Sequence, residues 1–388
     1  MRASPLGQAT PAPREAHQAW PLVSAVVVNY NGAQHLARCV DSLFADGYPA
    51  LEVLVVDNAS TDGSAALLAG LQARHPRLTV LSSAHNLGYA GAVNLALSYA
   101  RGDYLAVLNM DLEVQRGWLA ELVAFLEAHP WVAAVNPLVA LADGEHVNAL
   151  GQDVHVTGLG FNRGLGRPVG AVGRTPFRVT GIQGGAFVVR RTVLEQIGGM
   201  DAAGWLYHED VNLSWLLQLL GHDLYCVPTA VVRHDYKLTM YPVKLYLLER
   251  NRWAMLASYL RWRTLVALSP LLLLTEGLMW AYCALKGPAF LAAKARSYAW
   301  VVAQWPRLQQ RRRWVERARV RTDWALLRRL RWGYAWDQFL TLGRARGGPE
   351  RARIRELPLV PPSSDHISVR ASLATRSGTI HGESEATV

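Results

Sequence analysis

Four apolar runs, each ending in polar residues and each followed by a helix-length stretch, constrain this chain more than any other feature. VVVNYN, LVVDNASTDGS, LTVLSS and YLAVLN are rich in β-branched residues and do not alternate apolar with polar positions. Strands of that kind are covered on both faces, and helices between them make the sheet mostly parallel. Residues 33–43 place Leu36, Val40 and Leu43 at helical spacing, and AALLAGLQARH and NLGYAGAVNLALSYA follow the next two runs. In such a sheet the carboxyl ends of successive strands lie at one edge, where open α/β sheets bind ligands. Asn29, Asp57 and Asp111 are expected to converge there. Taken singly, each has a plainer explanation, because Asn and Asp end strands by bonding their own backbone in turns.

With 388 residues, 51% of them hydrophobic, the chain can bury one large core or two moderate ones, which excludes a generically disordered protein. Cys39, Cys226 and Cys283 are far apart and form no CxxC pair, so neither a disulfide framework nor a zinc knuckle is expected, and a reducing cytosolic setting fits. Residues 1–20, rich in Pro and Ala, lack the apolar centre of a signal peptide and read as a disordered tail. The Pro-, Ser- and Thr-rich segment 357–388 reads as a second one. Between them lie a mildly acidic α/β domain, 21–245, and a basic, Trp-rich helical region, 246–356, which accounts for the formal charge of +10.

Within that region the apolar run 264–285 has about the ~20 residues needed to cross a bilayer, although Pro270 and Glu276 interrupt it. Trp253, Trp262, Trp280, Trp300, Trp305 and Trp314, together with Arg311, Arg312 and Arg313, favour a membrane-associating region that docks on an anionic surface, peripheral, monotopic or single-span. A fully buried helical hairpin is the soluble alternative. Basic residues among aromatics also occur in nucleic-acid binders. Anionic lipid accounts for the same charge here, and no nucleic-acid partner is expected.

The blocks VVVNYN, VVDNASTDGS, HNLGYAGAVNLAL, VLNMD, GGAFVVRRTVLEQIGGMD and HEDVNLSWLLQLLGHDLYCVPTAVVRH, in this order, resemble glycosyltransferase family 2 and its bacterial rhamnosyltransferase-like branch. The resemblance implies a GT-A fold, a nucleotide-sugar donor, Mg²⁺ or Mn²⁺, and transfer with inversion. It implies that Val28, Asn29 and Tyr30 frame the base and that Asp57 accepts from a pyrimidine imide N–H. Asn58, Asn86, Gly88 and Asn94 join the donor-binding set, while Asn109 and Asp111 occupy the D-x-D position, the first toward ribose and the second on the metal. His234, ending AVVRH, takes the position of a histidine metal ligand. Gly184 and Gly185 line the donor sugar and acceptor. Asp210 is the expected catalytic base and Glu209 the acceptor-positioning residue.

Each of these residues also has a structural reading: His234 as an ordinary strand-end histidine, the glycine pair as a tight turn, and the acid pair as a helix cap complementing the dipole. Glu113 is read as a solvated residue opening the next helix. Asn109 and Asn212 stand where the family often has acids. The donor class is a dTDP- or UDP-sugar, with dTDP-rhamnose as the family-level choice. The acceptor is a saccharide or lipid-linked saccharide in cell-envelope polysaccharide synthesis, at the cytoplasmic face of the cell membrane. Two alternatives compete. A nucleotidyltransferase should open with a glycine-rich basic loop, yet VVVNYNGAQHL has one glycine and no lysine. A catalytically silent nucleotide-binding membrane scaffold is favoured by Asn109 and Asn212 and opposed by Asp57, Asp111 and Asp210.

Overall fold

The computed structural model describes residues 19–236 and 239–339 and the backbone of 369–372. The four apolar runs become β1 (Val23–Asn29), β2 (Leu51–Asn58), β3 (Leu78–Ser83) and β4 (Tyr104–Asn109), joined by α1 (Ala33–Ala45), α2 (Ser64–Arg74) and α3 (Gly88–Tyr99). β1 lies between β2 and β4 and β2 pairs with β3, all in parallel. Every residue of β1 and β2 is buried, as their unbroken apolar pattern requires. Val23, Ala25 and Val27 pack with Leu36, Cys39, Val40 and Leu43 of α1 on one face, while Val26 and Val28 meet Ala90, Val93 and Ala96 of α3 on the other. Full burial of a side chain the size of Val or Leu stabilises by about 1.5–3 kcal/mol, so this two-sided packing anchors the sheet. The register sets Asn29 beside Asp57 and Val28 beside Asn109, so the expected convergence at the carboxyl edge is present.

Beyond that edge the chain continues through β5 (Leu112–Val114), α4 (Trp118–Ala128), β6 (Val132–Leu141), β7 (Val147–Ala149), β8 (Gln152–Val154), β9 (Gly160–Asn162), β10 (Phe177–Arg178), β11 (Ala186–Arg190), α5 (Arg191–Gln196), α6 (Glu209–Leu219) and β12 (Asp223–His234). β11 runs antiparallel between β4 and β6, and β12 returns parallel to β6. Glu113 departs from expectation: it lies in β5 opposite Arg233 instead of opening a helix. Leu112 and Val114 are buried on either side of it, a period-two pattern that suits a short strand.

The C-terminal helices are α7 (Pro242–Tyr259), α8 (Trp262–Ala267), α9 (Ser269–Lys286), α10 (Pro288–Ala303), α11 (Trp305–Ala318) and α12 (Asp323–Leu327). The 264–285 run is not one helix: α8 stops before Leu268, and Pro270 sits in the first turn of α9, where its missing N–H costs nothing. Among the described residues no helix is long and apolar enough to cross a membrane. Glu276 turns inward, where it pairs with Arg252 and, at 2.6 Å, with Lys294; Glu249 meets Arg252 at 2.8 Å in the same cluster. Within the segment expected to be a C-terminal tail, β13 (Val369–Ser372) adds antiparallel to β3, giving that edge's backbone groups partners. The rest of both expected tails lies outside the described residues.

Candidate active site

At the carboxyl edge of the sheet, the Asn29 side-chain amide donates to Asp57 Oδ1 at 3.1 Å and to Ser60 Oγ at 3.0 Å. Asn29 Oδ1 remains buried without a partner. Val28 is buried beside it, and Tyr30 is exposed at the rim. The neighbouring amides are engaged within the protein. Asn58 Nδ2 donates to Asn86 Oδ1 and its Oδ1 accepts from the Leu87 N–H, while both ends of the Asn94 amide bond the backbone of Met200. Gly88 has φ +71°, and a Cβ there would lie 2.2 Å from the Trp205 carbonyl oxygen, so only glycine permits this approach. Asn58, Asn86, Gly88 and Asn94 thus build the wall that fixes the entry to α3, while Asn29 and Asp57 lie buried at the strand ends beneath the exposed Tyr30.

Asn109 ends β4, and its N–H donates to the Gly185 carbonyl at 2.9 Å, tying the Gly184–Gly185 segment to the strand end. Two residues on, Asp111 Oδ1 lies 3.3 Å from His234 Nε2. The other ring nitrogen, Nδ1, lies 3.0 Å from Asn148 Oδ1, an acceptor, so the ring carries its proton on Nδ1. In the neutral ring, the lone pair of Nε2 then faces a carboxylate oxygen that is buried and otherwise unpartnered. Asp111 and His234 are thus the residues that would hold the divalent cation expected from the sequence. Among the described residues no group of three or more His, Cys, Asp or Glu side chains is placed to hold a metal, so diphosphate and water oxygens would complete the shell. A cavity of about 230 Å³ adjoins the pair, with His35, Arg38 and Asp235 on its walls.

Glu209 and Asp210 are the first two residues of α6. Asp210 Oδ2 accepts from the Gly184 N–H at 3.0 Å and from Gln152 Nε2 at 2.8 Å, while Oδ1 accepts from the Val211 N–H at 2.8 Å. Two of these donors lie outside the helix, so Asp210 does more than cap it. A Cβ at Gly184 would stand 3.1 Å from Asp210 Oδ2, so the glycine lets the carboxylate sit close against the backbone. Glu209 Oε2 is buried with no partner. Burial raises the pKa of both carboxyls, the charge of Asp210 pushes Glu209 well above the usual range, and the N–H donors on Asp210 oppose its rise. The two carboxyls therefore titrate as a coupled pair, in which the N–H donors favour the negative charge on Asp210. Tyr89 donates to the Gly184 carbonyl at 2.7 Å. Burial and then the charges of Glu209, Asp210 and Asp111 hold its phenol well above its ordinary pKa, so all three carboxylates lie within electrostatic reach of Tyr89.

The approach to the acid pair is strained. Trp205, Tyr207 and His208 all have positive φ, between 62° and 69°, at about 1–3 kcal/mol each. The surroundings hold them there. Asn251 of α7 sets its amide nitrogen 2.8–3.1 Å from the carbonyls of Gly204, Leu206 and Tyr207. His208 bonds the Gly158 carbonyl through Nε2 at 2.8 Å, and burial lowers its pKa to about 4, so the ring is neutral. Asn212, in the position where the family often has an acid, accepts from the Tyr259 hydroxyl at 2.6 Å and joins α6 to α7. Gln152, Asn148, Tyr89 and Asn251 are positioning residues that the sequence does not single out. They are isolated polar residues whose partners come from distant segments.

Residues 24–198 match the model of Glycosyl transferase family 2. Over 221 residues the chain is 33% identical to Pre-mycofactocin glycosyltransferase of Mycobacterium tuberculosis (strain CDC 1551 / Oshkosh), covering 55% of this chain and 43% of that protein. It is 28% identical over 245 residues to N-acetylglucosaminyl-diphospho-decaprenol L-rhamnosyltransferase of the same strain, covering 55% of this chain and 76% of that one. The chain thus spans less than half the length of the first of these relatives. The fold resembles that of GalNAc-T7, solved with UDP, GalNAc and Mn²⁺, with a TM-score of 0.52 at 20% identity over 62% of this chain and 48% of the other. Residues 24–198 are accordingly similar to glycosyltransferase family 2, and the chain is similar to a bacterial rhamnosyltransferase, on a fold of the GT-A type.

Proposed function

We propose that the protein is an inverting glycosyltransferase that moves a sugar from a dTDP- or UDP-sugar to a saccharide or lipid-linked saccharide. The observation that carries this reading is Asp210 at the start of α6, its carboxylate held by the Gly184 N–H, while Gly185 is tied to Asn109 at the strand end that leads to Asp111. Asp57, oriented by Asn29, accepts from the pyrimidine imide N–H, and Asn109 bonds a ribose hydroxyl. Asp111 and His234 would hold Mg²⁺ or Mn²⁺, whose charge would offset that of the departing diphosphate. Asp210 takes the acceptor hydroxyl proton as that oxygen bonds the anomeric carbon from the face opposite the diphosphate. The bond between that carbon and the diphosphate oxygen breaks, the nucleoside diphosphate leaves, and the proton ends on Asp210. Glu209, protonated, donates to the acceptor and positions it.

The names of the relatives support dTDP-rhamnose as the first donor to try and a lipid-linked saccharide as the acceptor. A role in cell-envelope polysaccharide synthesis, at the cytoplasmic membrane face, follows from that choice. The test is nucleoside diphosphate release by purified protein across a panel of nucleotide sugars, with lipid-linked acceptor present and with or without chelator. Release confined to acceptor-containing, metal-replete reactions is expected. Nucleotide binding without turnover for every sugar would favour the scaffold, and turnover that survives thorough chelation would remove the metal.

A further inference from the structure

We propose that the outer face of α8–α10 lies in the headgroup region of an anionic bilayer as a non-spanning dock. This deepens the membrane placement proposed above by naming the surface responsible. α9 keeps its one acid, Glu276, on the inside and shows an apolar outer face. Its inward side buries Leu272, Thr275, Met279 and Cys283, and its exposed positions, which include Pro270, Leu273, Leu274, Trp280, Ala281 and Leu285, recur at helical spacing without a polar residue among them. Leu273 is 71% exposed, Leu285 88%, and Val302 on the adjoining α10 72%. An apolar stripe of this length is not a surface that water selects, and it marks a face that meets another medium. Trp280 stacks on Tyr298 and donates to its hydroxyl at 3.2 Å, and Trp262 lies near Trp305, an arrangement of indoles that suits a headgroup layer.

Charge identifies the occupant. Glu276, the one acid in α8–α10, is neutralised inside by Arg252 and Lys294, while Arg263 and Arg296 are exposed beside the stripe. The outward charge is therefore basic, which complements anionic lipid. A second copy of the chain packed on the same face would bring these arginines toward one another. Because no helix among the described residues can span the bilayer, α9 lies along the surface.

Flotation of the full-length protein with vesicles of phosphatidylcholine, with and without phosphatidylglycerol, tests this in the absence of donor. The wild type should float with the anionic vesicles and less with the neutral ones. The pair Leu273→Glu and Leu285→Glu should weaken binding by at least about tenfold, because two apolar side chains leave the interface. Val320→Glu, an exposed apolar residue away from this face, should bind as wild type. Unchanged melting confirms that the variants are folded, and Val302→Glu alone carries the test if the double variant does not fold. Wild-type binding by a folded double variant, or no vesicle binding by the wild type, overturns the dock. So does a lipid-free dimer that the double variant dissolves, which would assign the face to a second copy. Flotation without turnover on any nucleotide sugar would remove the transfer reading and leave the dock standing.

Discussion

Glu209 and Asp210 are neighbours of the same chemical class, yet their surroundings divide them, with three N–H donors on Asp210 and none on Glu209 Oε2. Asp210→Asn should lower single-turnover transfer by about 10²–10⁴-fold with donor affinity little changed, since the lost group is the proton acceptor. Glu209→Gln resembles the protonated form and should stay within about tenfold of wild type; the reverse ranking would exchange the two roles. At the cation site, Asn148→Ala should weaken Mn²⁺ binding, measured calorimetrically with nucleoside diphosphate, by about 10–100-fold, because Asn148 fixes which nitrogen of His234 is free. Unaltered affinity would remove His234 from the site. Asp57, Asp111 and Asp210 were legible because strand ends and a helix start announce them. Gln152 and Asn148 were not, because what makes them matter is a partner 58 or 86 residues away.

At the scale of elements, α7 ties the helical region to the acid pair. Arg252 donates to the Thr157 carbonyl at 3.1 Å, and the adjoining Gly158 carbonyl holds His208, the residue before Glu209. Arg252→Met would leave Glu249 and Glu276 with Lys294 alone and should destabilise by about 3–5 kcal/mol in urea unfolding. Arg263→Met, on exposed α8, should stay within about 0.5 kcal/mol. Equal losses from both would deny the buried cluster its structural weight. β1 to β4 were legible as unbroken apolar runs and α1 to α3 as the helix-length stretches between them, while the short β5 was not. The 264–285 run was not, because hydropathy records that residues are apolar and does not register that Glu276 has two cations behind it or that the helix restarts at Ser269.

For the whole molecule, the neutral His208 predicts how stability depends on pH. Its folded pKa is about 4 and its unfolded value 6.5, so between them the unfolded chain binds the extra proton. Stability is unaffected by this group above pH 6.5 and is lost as the pH falls toward 4, by about 3 kcal/mol in total. His208→Asn, which tolerates positive φ, should flatten that part of the profile in denaturant midpoints taken from pH 7 to 4.5. A slope as steep as wild type would assign the acid sensitivity elsewhere.

The sheet topology also imposes an order in time. The parallel pairings of β1 with β2 and β4 and of β2 with β3 lie within residues 23–109, whereas β12 reaches β6 only after the whole 142–222 stretch has been made. Local pairings form early and distant ones late. During synthesis at about 5–20 residues per second, the nucleoside-facing edge of Asn29 and Asp57 can be complete while Asp210 and His234 are still to come. On the proposed function, the nascent chain would thus pass through a stage at which the residues proposed to meet the donor are in place before Asp210 and His234 have been made.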